Sequence, residues 1–253
     1  MNNIESFLNQ FKVYDVGLTK IRIGNNGDGG YVALKELCAK TDTVYSFGIG
    51  GDVGFELDFV NRFPNAQEIQ LCDPTIDLLP DCHPRFSFSR EGISPGYGVL
   101  KNIAENSLLK VDVEWAEWEA FEIFSKQDVG KFSQILIELH IVHAEPKEWL
   151  SPYFKGFYQA VFDKINDDLF ARYCEVLRRL NEQFYIFHIH PNNSLPLINV
   201  GGHTFSPLLE VSFVRKDLAG AVYSTDEHFP IEGLDFPNKT DRMDILGWWP
   251  LGG

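Results

Sequence analysis

Apolar positions along the chain follow two rhythms that take turns. Runs rich in β-branched and aromatic residues, bounded by glycine, proline or acids, predict strands at 43–47, 68–72, 85–89, 108–113, 134–139, 184–189 and 208–214. Helical spacing predicts helices at 55–61, 117–126 and 167–183. In the last of these Leu169, Phe170, Tyr173, Val176, Leu177 and Leu180 mark one face. Strands separated by helical patterns imply parallel pairing through crossover helices, hence an α/β fold. Between the last two strands lie proline, asparagine and glycine but no helical pattern, which predicts an antiparallel pair ending a mostly parallel sheet. Residues 1–40 read as an N-terminal extension packed on a core of 41–217. Residues 218–253, with Pro230, Pro237, Gly247 and Pro250, read as a mostly irregular tail pinned by Trp248 and Trp249. No linker divides the chain, so a single domain over 1–253 is expected.

The first strand runs into Gly48-Ile49-Gly50-Gly51-Asp52 and then into helical spacing. Such a turn lets a ligand approach the backbone and meets it with helix N-terminal N–H groups. Asp73 follows Gly50 by 23 residues, at the end of the second strand. A carboxylate there suits ribose hydroxyls. The same residues also suit a plain tight turn with a capping Asp. Two ligand classes fit the functional reading: S-adenosylmethionine and a dinucleotide. Gly48, Gly50 and Gly54 form G-x-G-x-x-x-G, but Val53 stands where the tighter dinucleotide pattern needs glycine. The absence of a Tyr-x-x-x-Lys set weighs against an NAD(P)-dependent oxidoreductase.

Composition narrows the partners. The formal charge is −14, with no basic run, which disfavours a nucleic-acid partner. No segment approaches the ~18 apolar residues of a membrane span. The N-terminus lacks the basic and apolar regions of a signal peptide. The four cysteines show no C-x-x-C spacing and read as reduced thiols, so a cytoplasmic protein is expected.

The string Arg22-Ile-Gly-Asn-Asn-Gly-Asp28-Gly29-Gly30-Tyr31-Val32, the Y-S-F-G-I-G at 45–50 and the D-P-T at 73–75 recur together in a branch of methyltransferase-like proteins. Lys110, Asp112, Glu114, Glu117 and Trp118 form K-x-D-x-E-x-x-E-W, followed by I-E-L-H at 137–140, His190 with Asn192 and Asn193, and L-E-x-x-F-V-R-K at 209–216. Over residues 20–217 the chain resembles the FkbM-type methyltransferases. The resemblance implies a Rossmann-like class I fold: a seven-stranded, mostly parallel sheet with an antiparallel last strand and helices on both faces. It implies S-adenosylmethionine as cofactor and O-methyl transfer to a small-molecule hydroxyl, often on a sugar or glycan. The expected donor-binding set is Arg22, Asp28, Gly29, Tyr31, Ser46, Gly48, Gly50, Asp73, Pro74, Ile93 and Asp112. In it the Asp28–Tyr31 stretch folds over the donor, Arg22 pairs with its carboxylate, and Ile93 borders the adenine. Two departures stand out. Trp115 replaces the family's glycine after D-x-E, and Pro191 separates His190 from the Asn pair.

A sugar hydroxyl is a poor nucleophile, so its proton must go to a base or its oxygen to a metal. Asp112 and Glu114, Glu138 and His140, and His188 and His190 sit at strand ends that open on one crevice. His140 is the preferred base and His190 the second candidate, with Asp112 and Glu138 beside them. His188 also reads as a buried core histidine, and Glu117 as a helix-start acid. His143 and His203 read as loop residues. Asp112, Glu138 and His140 alternatively offer mixed ligands for Mg²⁺ or Mn²⁺. The loop 94–98 is expected to flank the acceptor. A non-catalytic donor-binding module is the remaining alternative.

Overall fold

The computed structural model describes residues 3–141, 167–195, 197–224 and 228–248; His143 and Trp249 lie outside this set. Seven strands form the central sheet: β1 (Thr43–Phe47), β2 (Glu68–Cys72), β3 (Phe86–Ser89), β4 (Ser107–Val111), β5 (Phe132–His140), β6 (Phe184–Pro191) and β7 (Leu208–Arg215). Their spatial order is β3-β2-β1-β4-β5-β7-β6. The pairs β1–β2, β1–β4, β2–β3 and β4–β5 are parallel. β7 inserts antiparallel between β5 and β6. The protein therefore has the Rossmann-like class I methyltransferase fold that the strand pattern and the resemblance imply. β4 and β5 are buried along their whole length, as expected of strands covered on both faces.

One face of the sheet is covered by α1 (Asn3–Leu8), α3 (Ala116–Ile123) and α4 (Asp167–Gln183). Phe7 of α1 is buried among Phe11, Trp118, Phe170 and Tyr173, and the Trp118 and Tyr173 rings stack at 3.8 Å. Burying one such aromatic contributes about 2–3 kcal/mol, which is why the extension docks instead of trailing in solvent. The other face is covered by α2 (Gly54–Arg62) and by an antiparallel hairpin, Lys20–Ile23 with Tyr31–Leu34. Two buried polar side chains hold this hairpin. Gln134 of β5 accepts from the Leu34 N–H at 2.7 Å, and Ser212 of β7 donates to the Val32 carbonyl at 2.7 Å. The hairpin thereby carries residues 24–30 to the edge where β1 and β4 end.

Apart from short strand pairs, one of them joining His228 and Trp248, the described part of the tail is irregular, and buried or half-buried polar side chains tie it to the sheet. Asp235 bonds His188, Asn238 donates to Glu210, and Asp244 bonds His190. The cysteines form no disulfide, and burial pushes the Cys38 thiol up to about 12. No helix among the described residues is long and apolar enough to cross a membrane.

Candidate active site

Two cavities open where β1, β2 and β4 end, and they share Gly48, Ile49 and Asp112. The first, about 380 Å³, is bordered by Asp73, Pro74, Gly92, Ile93, Gly50 and Glu114. The second, about 320 Å³, is bordered by Asp28, Gly29, Asp52, Glu56 and Lys110. The structure thus brings together Asp28, Gly29, Gly48, Gly50, Asp73, Pro74, Ile93 and Asp112 of the expected donor set.

The turn between the cavities is built by close approach. Gly48 has φ +78°, and a Cβ there would lie 1.5 Å from the Asp112 carbonyl oxygen. Only glycine lets β1 pass under the end of β4. Gly50 also has positive φ, with open space around its Cα. Asp73 braces the turn: its Oδ2 accepts from the Ile49 and Gly50 N–H groups at 2.9 and 2.8 Å, and its Oδ1 from Thr75. Burial pushes this carboxyl's pKa up, but those hydrogen bonds more than offset it and hold the pKa below its ordinary value. Lys110 is buried and donates to the Gly48 carbonyl at 2.7 Å. Among the described residues it is the one cation on the border of either cavity. Its type and place were visible in the K-x-D-x-E motif, but its role was not.

Three expected donor contacts are placed otherwise. Arg22 borders neither cavity. Its guanidinium donates to the carbonyls of Asn25, Gly27 and Leu234 and lies over the Phe236 ring. Three of its donors go to backbone carbonyls, and the one to Leu234 ties the hairpin to the tail. Ser46 is buried and bonds Glu56, with no place on either cavity. Tyr31 is buried and donates its hydroxyl to Asp112 at 3.0 Å, so it orients that carboxylate.

The histidines separate sharply. His190 is 0% exposed, with Nδ1 3.2 Å from Glu210 and Nε2 3.3 Å from Asp244. Burial lowers its pKa, but hydrogen bonds to Asp244 and Glu210 and the charges around it raise it to about 10. Both ring nitrogens are thus engaged by carboxylates, and His190 borders neither cavity. His188 is bonded to Asp235 at 2.8 Å, in keeping with a buried core histidine.

His140 ends β5 and is 3% exposed. Its Nδ1 lies 3.2 Å from Glu117, which also accepts from the His140 backbone N–H at 2.7 Å. Its Nε2 lies 3.4 Å from Glu114 and 3.6 Å from Glu138. Burial lowers the pKa, but Glu117, Glu114 and Asp112 outweigh it and the net shift is upward. The Trp115 ring covers the imidazole at 5.0 Å. Neither cavity is bordered by His140 in this structure.

β4 ends at Val111, so Asp112 and Glu114 follow the strand and do not share a strand face. Glu114 and Trp115 have φ +50° and +76°, and this left-handed turn folds Glu114 back to His140. A left-handed backbone favours glycine, and Trp115 adopts it at a cost of about 1–2 kcal/mol.

Glu138 is buried and accepts from Asn192 at 2.5 Å. Burial, then Asp112 and Glu210, raise its pKa well above the ordinary value. The ligand-bearing set that converges is Asp112, Glu114 and His140, whose donor atoms lie within 4.8 Å of one another. Tyr97 of the 94–98 loop is exposed, and Glu91 accepts from the Val99 N–H at 3.0 Å.

No family model and no curated protein matches the chain. Among solved structures it is similar to a fibrillarin pre-rRNA processing protein of Methanococcus jannaschii. That likeness has 7% identity and a TM-score of 0.36, over 71% of this chain and 68% of that one.

Proposed function

We propose that the protein is an S-adenosylmethionine-dependent O-methyltransferase acting on a hydroxyl of a sugar or glycan. The observation that carries this reading is the pair of cavities meeting at Gly48 and Asp112. They suit a ligand with a nucleoside at one end and a zwitterion at the other. The adenosine lies beside Asp73, Pro74 and Ile93, with its ribose hydroxyls toward the Asp73 carboxylate. The methionine end lies in the second cavity. There Lys110 receives the carboxylate, and Asp28 and Asp52 are near enough to receive the ammonium.

In this pose the sulfonium sits over the shared border, next to Asp112. A cation is favoured there, and its methyl group faces Glu114 and the space in front of Trp115. In-line attack requires the acceptor oxygen on the far side of that methyl carbon, with water excluded. The carboxylates around this point suit hydroxyl recognition, and the resemblance to FkbM-type enzymes supports a sugar.

Calorimetric titration with S-adenosylhomocysteine, NAD⁺ and NADP⁺ tests the reading. The expected result is micromolar S-adenosylhomocysteine binding, lost in Asp73→Ala, followed by methylated product from a panel of glycans. Dinucleotide binding alone would turn the reading to an oxidoreductase. Donor binding with no product from any glycan would leave a non-catalytic module.

A further inference from the structure

We propose that Asp112, Glu114 and His140 form a binding site for one divalent metal ion at the rim of the donor cavity. The proposal rests on the methyltransferase reading only for what the ion does, not for whether it binds. The three donor atoms lie within 4.8 Å of one another. An ion with ~2.1 Å bonds places neighbouring ligands about 3 Å apart and opposite ligands about 4.2 Å apart. The 3.4 Å between His140 Nε2 and Glu114 Oε2 is close to the neighbouring spacing, so small side-chain rotations complete the site.

Two further observations point to a ligand. The first is the orientation of His140. A metal-binding histidine commonly gives its second nitrogen to a carboxylate, which sets the tautomer and aims the free nitrogen. Glu117 does this here: it is 0% exposed and bonds Nδ1, which directs Nε2 at the carboxylates of the cluster. The second is an orphan. Glu117 Oε2 is buried without a hydrogen-bond partner among the described residues. An unpaired buried carboxylate oxygen is costly, and a divalent ion on the other nitrogen of the imidazole that Glu117 holds would offset part of that cost.

The donor set selects among ions. Two carboxylates and one imidazole suit Mn²⁺ better than Mg²⁺, which prefers oxygen alone. Glu114 is 73% exposed, so the remaining coordination positions face solvent and the acceptor's approach. A bound ion would hold the acceptor oxygen and ease its deprotonation. His140 then acts as a ligand and not as the base, because both roles need the same Nε2 lone pair.

Chelator-treated protein titrated with Mn²⁺ tests this, by calorimetry and by electron spin-echo spectroscopy of the bound ion. The expected result is one Mn²⁺ per chain, a single imidazole-nitrogen coupling, and competition by Mg²⁺ only at tenfold or higher concentration. Glu114→Gln should weaken Mn²⁺ binding at least tenfold, and His140→Gln should also remove the nitrogen coupling. Glu119→Gln, on an exposed helix position, should change neither. Melting curves establish that each variant folds; should His140→Gln unfold, Glu114→Gln and the wild-type nitrogen coupling decide. Absence of binding, binding without nitrogen coupling, or binding unchanged in Glu114→Gln would overturn the site. S-adenosylhomocysteine titration of the same samples separates the two ideas. Donor binding without Mn²⁺ binding removes the metal and leaves His140 as base. Mn²⁺ binding without donor binding removes the methyltransferase reading and leaves the metal site.

Discussion

The two halves of the crevice are built on different principles. Around β1, β2 and β4, the site is made of backbone. Glycines with positive φ bring main chain against main chain, and Asp73 braces the turn through N–H groups 23 and 24 positions away. Around β5, β6 and β7, the structure is made of buried charged side chains paired over long separations. His188 meets Asp235, His190 meets Asp244, and Glu210 meets Asn238, at separations of 47, 54 and 28 residues. The first half resists change through sterics. The second resists it through charge, and should therefore respond to pH.

The largest expected effect comes from the closest contact. Gly48→Ala drives a methyl into the Asp112 carbonyl at a left-handed position, and should cost about 3 kcal/mol or more. Thermal melts should fall by roughly 6–12 °C, and S-adenosylhomocysteine binding should vanish. A fully stable, donor-binding Gly48→Ala protein would refute the steric account of this turn.

Asp73→Ala comes next. It strips four hydrogen bonds from the turn as well as the proposed ribose contact, so donor affinity should drop more than tenfold. An unchanged calorimetric Kd would remove Asp73 from the site.

The charged half gives a smaller effect with a pH signature. His190 gains protonation on folding, its pKa rising from 6.5 to about 10. Its contribution is complete below about pH 6.5 and is lost as pH rises toward 10. Asp235 shifts the other way. Burial raises its pKa, but His188 and His190 outweigh this and leave it below 3.8; its contribution is present above that value and is lost as pH falls through the native one. Asp244→Asn should cost about 1–3 kcal/mol at pH 6, and the gap to wild type should narrow by pH 10. Denaturant unfolding at the two pH values checks this; a gap that stays constant would show that the pairing is not ionic.

The smallest effect sharpens the first. Gly50 shares the left-handed geometry of Gly48 but has nothing within 4 Å of an added Cβ. Gly50→Ala should cost only about 1–2 kcal/mol, the conformational share without the clash. Equal destabilisation at positions 48 and 50 would mean that backbone conformation, not contact, governs the turn.

This contrast also explains what could be read without coordinates. The glycine turn, Asp73 and the succession of strands and helices rest on local pattern: a strand of period two, a helix of period 3.6, and glycine where only glycine fits. Arg22 misled because a guanidinium beside a glycine-rich loop suits a ligand carboxylate and backbone carbonyls equally well; Leu234, 212 residues away, decides between them. His190 differs for the same reason, since Glu210 and Asp244 engage both of its ring nitrogens. Glu117 carried a visible helix-start signal, but its hold on His140 spans 23 residues and a change of element.

The sequence by itself determined the α/β class, the succession of strands and helices along the chain with an antiparallel end, and the glycine turn with its acid. Each follows from periodicity or from a steric requirement that one residue type meets. Only the tertiary structure decided which charged side chains face a cavity and which face each other. A carboxylate or imidazole takes its protonation state and its partner from burial and from neighbours distant in the chain, and neither quantity exists until the fold has closed.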